Sequence, residues 1–265
     1  PRSPMGNVLA CEDLGEGDLS QSLAALAPLG VVNALLDFGD QAQHEAWLPR
    51  FASEQPVPAA VALAEPRATF EPGDLRTTAR RDGDAYVLDG EKCLIPLVEQ
   101  CQLFLVVAAA DDGPAAFIVE ADSAGLSRAR QDYMGLRSAE PGTLTLEGVR
   151  VPAAQRLAHF DLERLVSLSR IGLAALATGC CQAVLEQCVP YALERKAFGE
   201  AIARRQSVAF MIADMGIEIE GMRLLTWRAA SRAEQGLPFQ REAYLAFLQS
   251  MEKAMRIATD GVQVF

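Results

Sequence analysis

Asp161, Glu163 and Arg164 stand together in the run FDLERLV, residues 160–166, among apolar neighbours. A carboxylate held in apolar surroundings becomes more basic and can take a proton from a substrate. The same Glu in the first turn of a water-facing helix is only a solvated charge that suits the helix dipole. Residue types alone favour the solvated reading of Glu163. Other chemistries have less to work with. His44 and His159 are the only histidines, too few for a histidine-based metal site, and no nucleophile-elbow motif accompanies them. The six cysteines contain no Cys-x-x-Cys pair, so they read as small buried hydrophobes of a reducing compartment and not as a metal or disulfide framework.

The elements that must position these residues fall into three stretches. Residues 12–52 read helical: DLSQSLAALAPLGVVNALLDFG is apolar and DQAQHEAWLPRFAS has helical spacing, with Gly39 and Pro49 as breaks. Between about 58 and 152 short alternating runs are separated by Asp82-Gly83, Asp89-Gly90, Asp112-Gly113 and Glu147-Gly148, the grammar of strands joined by tight turns. Beyond Pro152 three long helical patterns follow, over about 160–194 with Pro190 as an expected kink, 205–235, and 239–262. The second carries the stripe Val208, Met211, Met215, Ile219 and Met222 at steps of three and four. Short loops between these helices predict antiparallel packing. The small-residue run IGLAALATGCC, residues 171–181, predicts a close approach of helices.

The expected architecture is therefore multidomain α+β: N-terminal helices over 1–57, a central antiparallel β-barrel or sandwich over 58–156, and an antiparallel helical bundle over 157–265. With 265 residues, half of them hydrophobic, the chain can bury a substantial core. A net charge of −11 without a basic block excludes the electrostatic footprint of a nucleic-acid binder. No uninterrupted apolar run reaches the roughly 18 residues of a membrane span, and the first residues lack a signal-peptide pattern. A soluble, cytoplasmic protein is expected, and the dominance of Arg over Lys and the abundant Ala point to a GC-rich bacterial source.

The segment RKAFGEAIARRQSVAFMIADM, residues 195–215, resembles the acyl-CoA dehydrogenase family: Arg195, Phe198 and Gly199, then Gln206, then Ala213-Asp214-Met215. LAEP at 63–66 with LRTTARRDGDAYVLDGEK is similar to that family's entry into its β domain, MGLRSAEPGTLTLEGVRVP to its exit, and ATDGVQVF to the segment before its Gly-Gly-x-Gly loop. The resemblance implies oxidation of an acyl-CoA or acyl-carrier thioester to its 2-enoyl form, with FAD as hydride acceptor and an electron-transfer flavoprotein as the next acceptor. It places Glu163 at the catalytic-base position used by isovaleryl-CoA dehydrogenase-type members, within Leu-Glu-Arg. Arg164, Asp161 and Phe70 fall at substrate-side positions. Leu63, Ala64, Ile95 and Pro96 fall at the flavin-ring face; Arg195, Phe198, Gln206 and Gln263 fall where the pyrophosphate and adenine are held across a dimer interface. A guanidinium suits a pyrophosphate because its planar fork donates paired hydrogen bonds.

A dimer or tetramer is implied as well, and no metal. Four positions depart from the family pattern: Ala64, Phe70, Leu94 and Pro96 replace residues that usually carry hydroxyls or an indole at the flavin face. These departures motivate two alternatives, a non-catalytic subunit that binds an acyl thioester or a partner chain, and a flavin-dependent oxidase or monooxygenase of the same fold. The resemblance also implies segments missing at both ends, since the N-terminal helical part is short and the chain stops at Phe265.

Overall fold

The computed structural model describes residues 3–55 and 57–265. Three helices come first: α1 (Pro4–Gly17), α2 (Leu19–Phe38) and α3 (Gln41–Trp47). Helix formation thus starts well before residue 12, because Ser3 caps α1 by accepting the Gly6 N–H and Pro4 sits at the first helical turn. Asp40 and Gln43 form a reciprocal capping box at the start of α3.

Seven strands follow: β1 (Ala59–Ala62), β2 (Thr78–Asp82), β3 (Ala85–Ile95), β4 (Leu103–Ala110), β5 (Gly113–Glu120), β6 (Leu126–Arg130) and β7 (Gly142–Pro152). They form one sheet in the order β1-β4-β2-β3-β7-β6, with β5 paired to β4. The antiparallel expectation needs correcting at β4, which runs parallel to β1 and to the start of β2. Asp82-Gly83 and the Asp112-Gly113 region do join neighbouring strands. Asp89-Gly90 and Glu147-Gly148 do not turn the chain. They lie opposite each other inside β3 and β7, where the register shifts and the Asp89 carboxylate accepts the Gly148 N–H at 2.7 Å. Gly90 at φ 146° and Gly148 at φ 64° supply the backbone freedom that a bulge needs.

The apolar run in β4 is explained by burial on both faces. Phe104, Val106 and Ala108 join Phe117 and Val119 of β5, with Leu88, Leu144 and Val149, in the core enclosed by the curled sheet. Leu103, Leu105 and Val107 with Ala116 and Ile118 face the other way, onto Val31, Ala34, Leu35 and Phe38 of α2. A strand covered on both sides loses alternation and reads as continuous apolar sequence.

The remaining elements are α4 (Leu162–Glu194), the two-residue strands β8 (Lys196–Ala197) and β9 (Glu200–Ala201), α5 (Gln206–Glu234) and α6 (Gln240–Val264). The stripe on α5 is buried at Met215, Ile219 and Met222, with Cys181, Cys188 and Ile257 around it. Pro190 lies inside α4. All six cysteines are free, and burial pushes the Cys101 and Cys181 thiols up to about 12.

The chain order of helices, strands and helices differs from its grouping by contacts. One unit joins residues up to Ser22 with Ser167–Phe265, and the other is Leu23–Val166. In the first unit α1 docks on α4 through glycine: a methyl at Gly179 would overlap the Glu12 carbonyl, and one at Gly15 the Leu176 carbonyl. Glu12 then accepts from Arg223 Nε at 2.5 Å and from Trp227 Nε1 at 3.3 Å. In the second unit α2 and α3 cover the sheet. Windows within α2 and α4 have mean hydropathies of 1.5 and 1.4, long and apolar enough by length and composition alone to cross a membrane. Core helices meet the same measure, and Leu35 of α2 and Ala174 and Ala175 of α4 are fully buried.

Candidate active site

Glu163 stands in the first turn of α4, exposed to solvent. Its carboxylate makes no hydrogen bond or ion pair with another described residue. The turn around it is firmly held. Asp161 caps the helix, its carboxylate accepting the Arg164 N–H at 3.0 Å and its carbonyl the Leu165 N–H at 3.0 Å. Asp161 therefore initiates the helix, a task that the Asp-x-x-Arg spacing already permitted. Arg164 turns back toward α2, its Nε 3.1 Å from Asp37 Oδ2. Leu162 and Phe160 pack on the same core cluster as Leu63, and the Phe160 ring meets Phe38 edge-on at 5.5 Å. Before the helix, the Gln43 side-chain amide donates to the Ala154 and Arg156 carbonyls at 2.9 and 2.7 Å, fixing the approach from β7.

Leu63 and Ala64 leave the end of β1 and are tied to β3. The Cys93 N–H donates to the Ala64 carbonyl at 2.9 Å, and Lys92 Nζ donates to the Leu63 carbonyl at 3.1 Å. The structure thus brings the 63–64 segment and the 92–96 segment side by side. Lys92 is wholly buried, and its ammonium also lies 2.9 Å from Glu65 Oε1. Glu65 further accepts the Arg76 and Thr77 N–H groups at 2.9 Å each. Burial pushes the Glu65 carboxyl up, but those N–H donors and Lys92 outweigh it and bring its pKa down to about 2. Burial pulls the Lys92 ammonium below the usual lysine range despite its partner.

Neither Lys92 nor Glu65 was singled out by sequence. The signal was present in β3, where Tyr86, Leu88 and Lys92 share an inward parity, so a lysine sits where the pattern demands an apolar residue.

Beyond Cys93 the chain becomes strained. Leu94 adopts φ 57° and is 58% exposed, whereas the Ile95 side chain is fully buried inside the sheet. Ile95 can therefore meet a ligand only through its main chain. Pro96 has no N–H to offer. Phe70 sits in the loop between Glu65 and Thr77, with the Arg67 guanidinium 5.5 Å from its ring centre and Arg67 bound to Asp74.

The remaining predicted residues belong to the helical unit. Phe198 and Gly199 form the two-residue tip of the β8–β9 hairpin, both at positive φ (55° and 86°), as a primed turn requires. The Phe198 ring is 96% exposed, with the Arg205 guanidinium 5.6 Å from its centre. Arg195 precedes this hairpin and Gln206 opens α5, both exposed. Gln263 is exposed on the last turn of α6, where Gly261 lies against Val184 and Tyr191 donates to the Phe265 carbonyl at 3.1 Å.

Sequence comparison matches three consecutive family models: acyl-CoA dehydrogenase N-terminal domain at residues 2–55, middle domain at 60–149 and C-terminal domain at 162–265. A probable acyl-CoA dehydrogenase of Bacillus subtilis, YngJ, is 36% identical over 97% of this chain and 70% of its own length. The chain belongs to the acyl-CoA dehydrogenase family. The bovine mitochondrial short-chain specific acyl-CoA dehydrogenase is 33% identical over 97% of this chain, which spans 65% of that relative's length.

Among solved acyl-CoA dehydrogenase structures, butyryl-CoA dehydrogenase of Megasphaera elsdenii superposes with a TM-score of 0.89 at 31% identity, over 97% of this chain and 70% of that one. The FAD complex of PigA superposes at 0.91 with 26% identity, over 99% and 72%. The acyl-CoA dehydrogenase fold of N-terminal helices, curled sheet and C-terminal helices is therefore established for this chain.

Proposed function

We propose that the chain provides the base, the flavin-ring face and the nucleotide-holding hairpin of an FAD-dependent acyl-CoA dehydrogenase, acting on the thioester of a short or branched acyl group. Membership of the family supports this reading, as does the naming of relatives as short-chain and butyryl-CoA dehydrogenases. The observation that carries it is Glu163: an exposed carboxylate, unpartnered among the described residues, on a helix turn capped by Asp161 and braced by Arg164 on Asp37.

In this reading Glu163 removes the proton from the carbon next to the thioester. It is poised for that because no neighbouring cation claims its lone pairs, and bound substrate would exclude water and raise its basicity. Arg164 is directed away from Glu163 by Asp37, so it steers the turn and leaves the carboxylate accessible. FAD, when bound, supplies the acceptor for the hydride that leaves the next carbon.

The residues present fit a flavin held by main chain and apolar contact. Leu63, Ala64, Leu94 and Pro96 present a partly exposed apolar surface on a backbone pinned by Lys92 and Cys93. Arg195, Phe198, Gln206 and Gln263 are exposed and free to hold a pyrophosphate and adenine, which supports self-association through that face. An electron-transfer flavoprotein as the electron acceptor and a bacterial cytoplasmic location complete the reading.

Glu163→Gln tests it. The wild-type protein loaded with FAD bleaches anaerobically with an acyl-CoA panel, and the variant binds FAD but does not bleach. Retained bleaching in the variant would place the base elsewhere. A colourless protein that FAD does not reconstitute would favour the second reading, a non-catalytic subunit, for which the hydroxyl-free face at Ala64, Phe70, Leu94 and Pro96 speaks.

A further inference from the structure

We propose that Lys92 is a positioning residue for the cofactor face, setting the main-chain course of residues 63–65 and the base of the loop that carries Phe70. The inference rests on the flavin reading above.

Three consecutive residues just past the end of β1 are tied to two consecutive residues of β3. Lys92 Nζ holds the Leu63 carbonyl and the Glu65 carboxylate, and the Cys93 N–H holds the Ala64 carbonyl between them. Glu65 passes the constraint on. Its carboxylate closes the loop from residue 66 to residue 75 by gathering the Arg76 and Thr77 N–H groups at the loop's far end. Arg67, 3.6 Å from Glu65, carries the same anchor to the Phe70 ring. One ammonium therefore governs both the segment bearing Ala64 and the loop bearing Phe70.

Stability does not call for such a group. A buried ion pair is often matched or bettered by apolar residues of similar volume, whereas removing one partner leaves a buried charge. What the pair does provide is direction, because a charged hydrogen bond fixes a carbonyl and a carboxylate at one distance. The site also lacks side-chain hydroxyls at Ala64 and Pro96, so a ligand there depends on where the main chain runs. That dependence gives the clamp its functional weight.

The test compares wild-type protein with Lys92→Met/Glu65→Gln, in which both charges are removed together. Thermal unfolding, amide hydrogen exchange at residues 63–66 without FAD, and FAD affinity by flavin fluorescence are measured on each. The double variant is expected to melt near wild type, to exchange faster at 63–66, and to bind FAD at least about tenfold more weakly, the worth of a lost charged hydrogen bond. Wild-type exchange at 63–66 together with wild-type affinity would overturn the proposal and leave Lys92 a purely structural residue.

If the double variant fails to fold, Lys92→Arg decides the question, since it keeps the charge and alters the reach. Weaker FAD binding at an unchanged melting temperature supports positioning, and unchanged binding overturns it. A wild-type protein that binds no FAD overturns the flavin reading itself, and the exchange measurement still shows whether Lys92 holds the 63–65 segment.

Discussion

Arg164 Nε lies 3.1 Å from Asp37 Oδ2, joining the first turn of α4 to the last turn of α2. Both side chains retain some exposure, so water screens the pair and its energy is small. Asp37→Asn is expected to lower unfolding stability by about 0.5–1 kcal/mol. Urea unfolding measures this, and a double-mutant cycle with Arg164→Gln should return a coupling of similar size.

Asp161 caps α4 through the Arg164 N–H, so its removal acts on the same turn by a different route. Asp161→Ala should cost about 1 kcal/mol by loss of the cap, and Asp161→Asn much less, because an amide oxygen caps nearly as well. A substrate-binding role for the Asp161 charge would instead make Asn as damaging as Ala in the KM for acyl-CoA.

Glu65 makes stability depend on acid. Its carboxyl titrates near 4.5 when unfolded and at about 2 when folded. The carboxylate therefore stabilises the fold fully above the unfolded value, and that contribution disappears as pH falls through the folded one. Roughly 3 kcal/mol is at stake at about 1.4 kcal/mol per unit, a pH-linked gain that the cost of burying the Lys92 ammonium offsets at neutral pH. Chemical unfolding between about pH 6 and pH 2 should show this decline. Lys92→Met/Glu65→Gln should flatten it, and an unchanged slope would assign the acid sensitivity to other carboxylates.

Two glycines of α4 should respond in opposite directions. A methyl at Gly179 collides with the Glu12 main chain, which cannot step aside as a flexible side chain would. Gly179→Ala is therefore expected to destabilise by about 3 kcal/mol, at the upper end for overpacking. Nothing lies within 4 Å of the methyl at Gly172. Gly172→Ala should raise the melting temperature slightly, by the roughly 0.5–1 kcal/mol that helix propensity favours alanine. Thermal denaturation of both variants checks the contrast.

The helices were legible because their apolar stripes recur at the helical period: Met215, Ile219 and Met222 are buried together as their spacing required. The run at 171–181 announced a close helix approach, and Gly179 is where it happens. The hairpin tip at Phe198-Gly199 went unread, because a two-residue loop at positive φ shows only once the short strands pair. The glycine pairs at 89–90 and 147–148 misled because positive φ serves a hairpin and a bulge equally. Only the strand lying alongside decides between them.

What the sequence by itself determined is what residues settle with their neighbours along the chain: element type, helix starts, the Leu-Glu-Arg turn that presents Glu163, and the family. What the tertiary structure decided is everything that depends on a distant partner. It turned Arg164 toward Asp37, 127 positions away, sank Ile95 into the core, and ran β4 parallel to β1. It also joined Lys92 to Leu63 and Glu65 across 29 and 27 positions. The physical reason is that a buried charge is tolerable only where its partner waits, and the partner's place is set by sheet pairing, which no local pattern encodes.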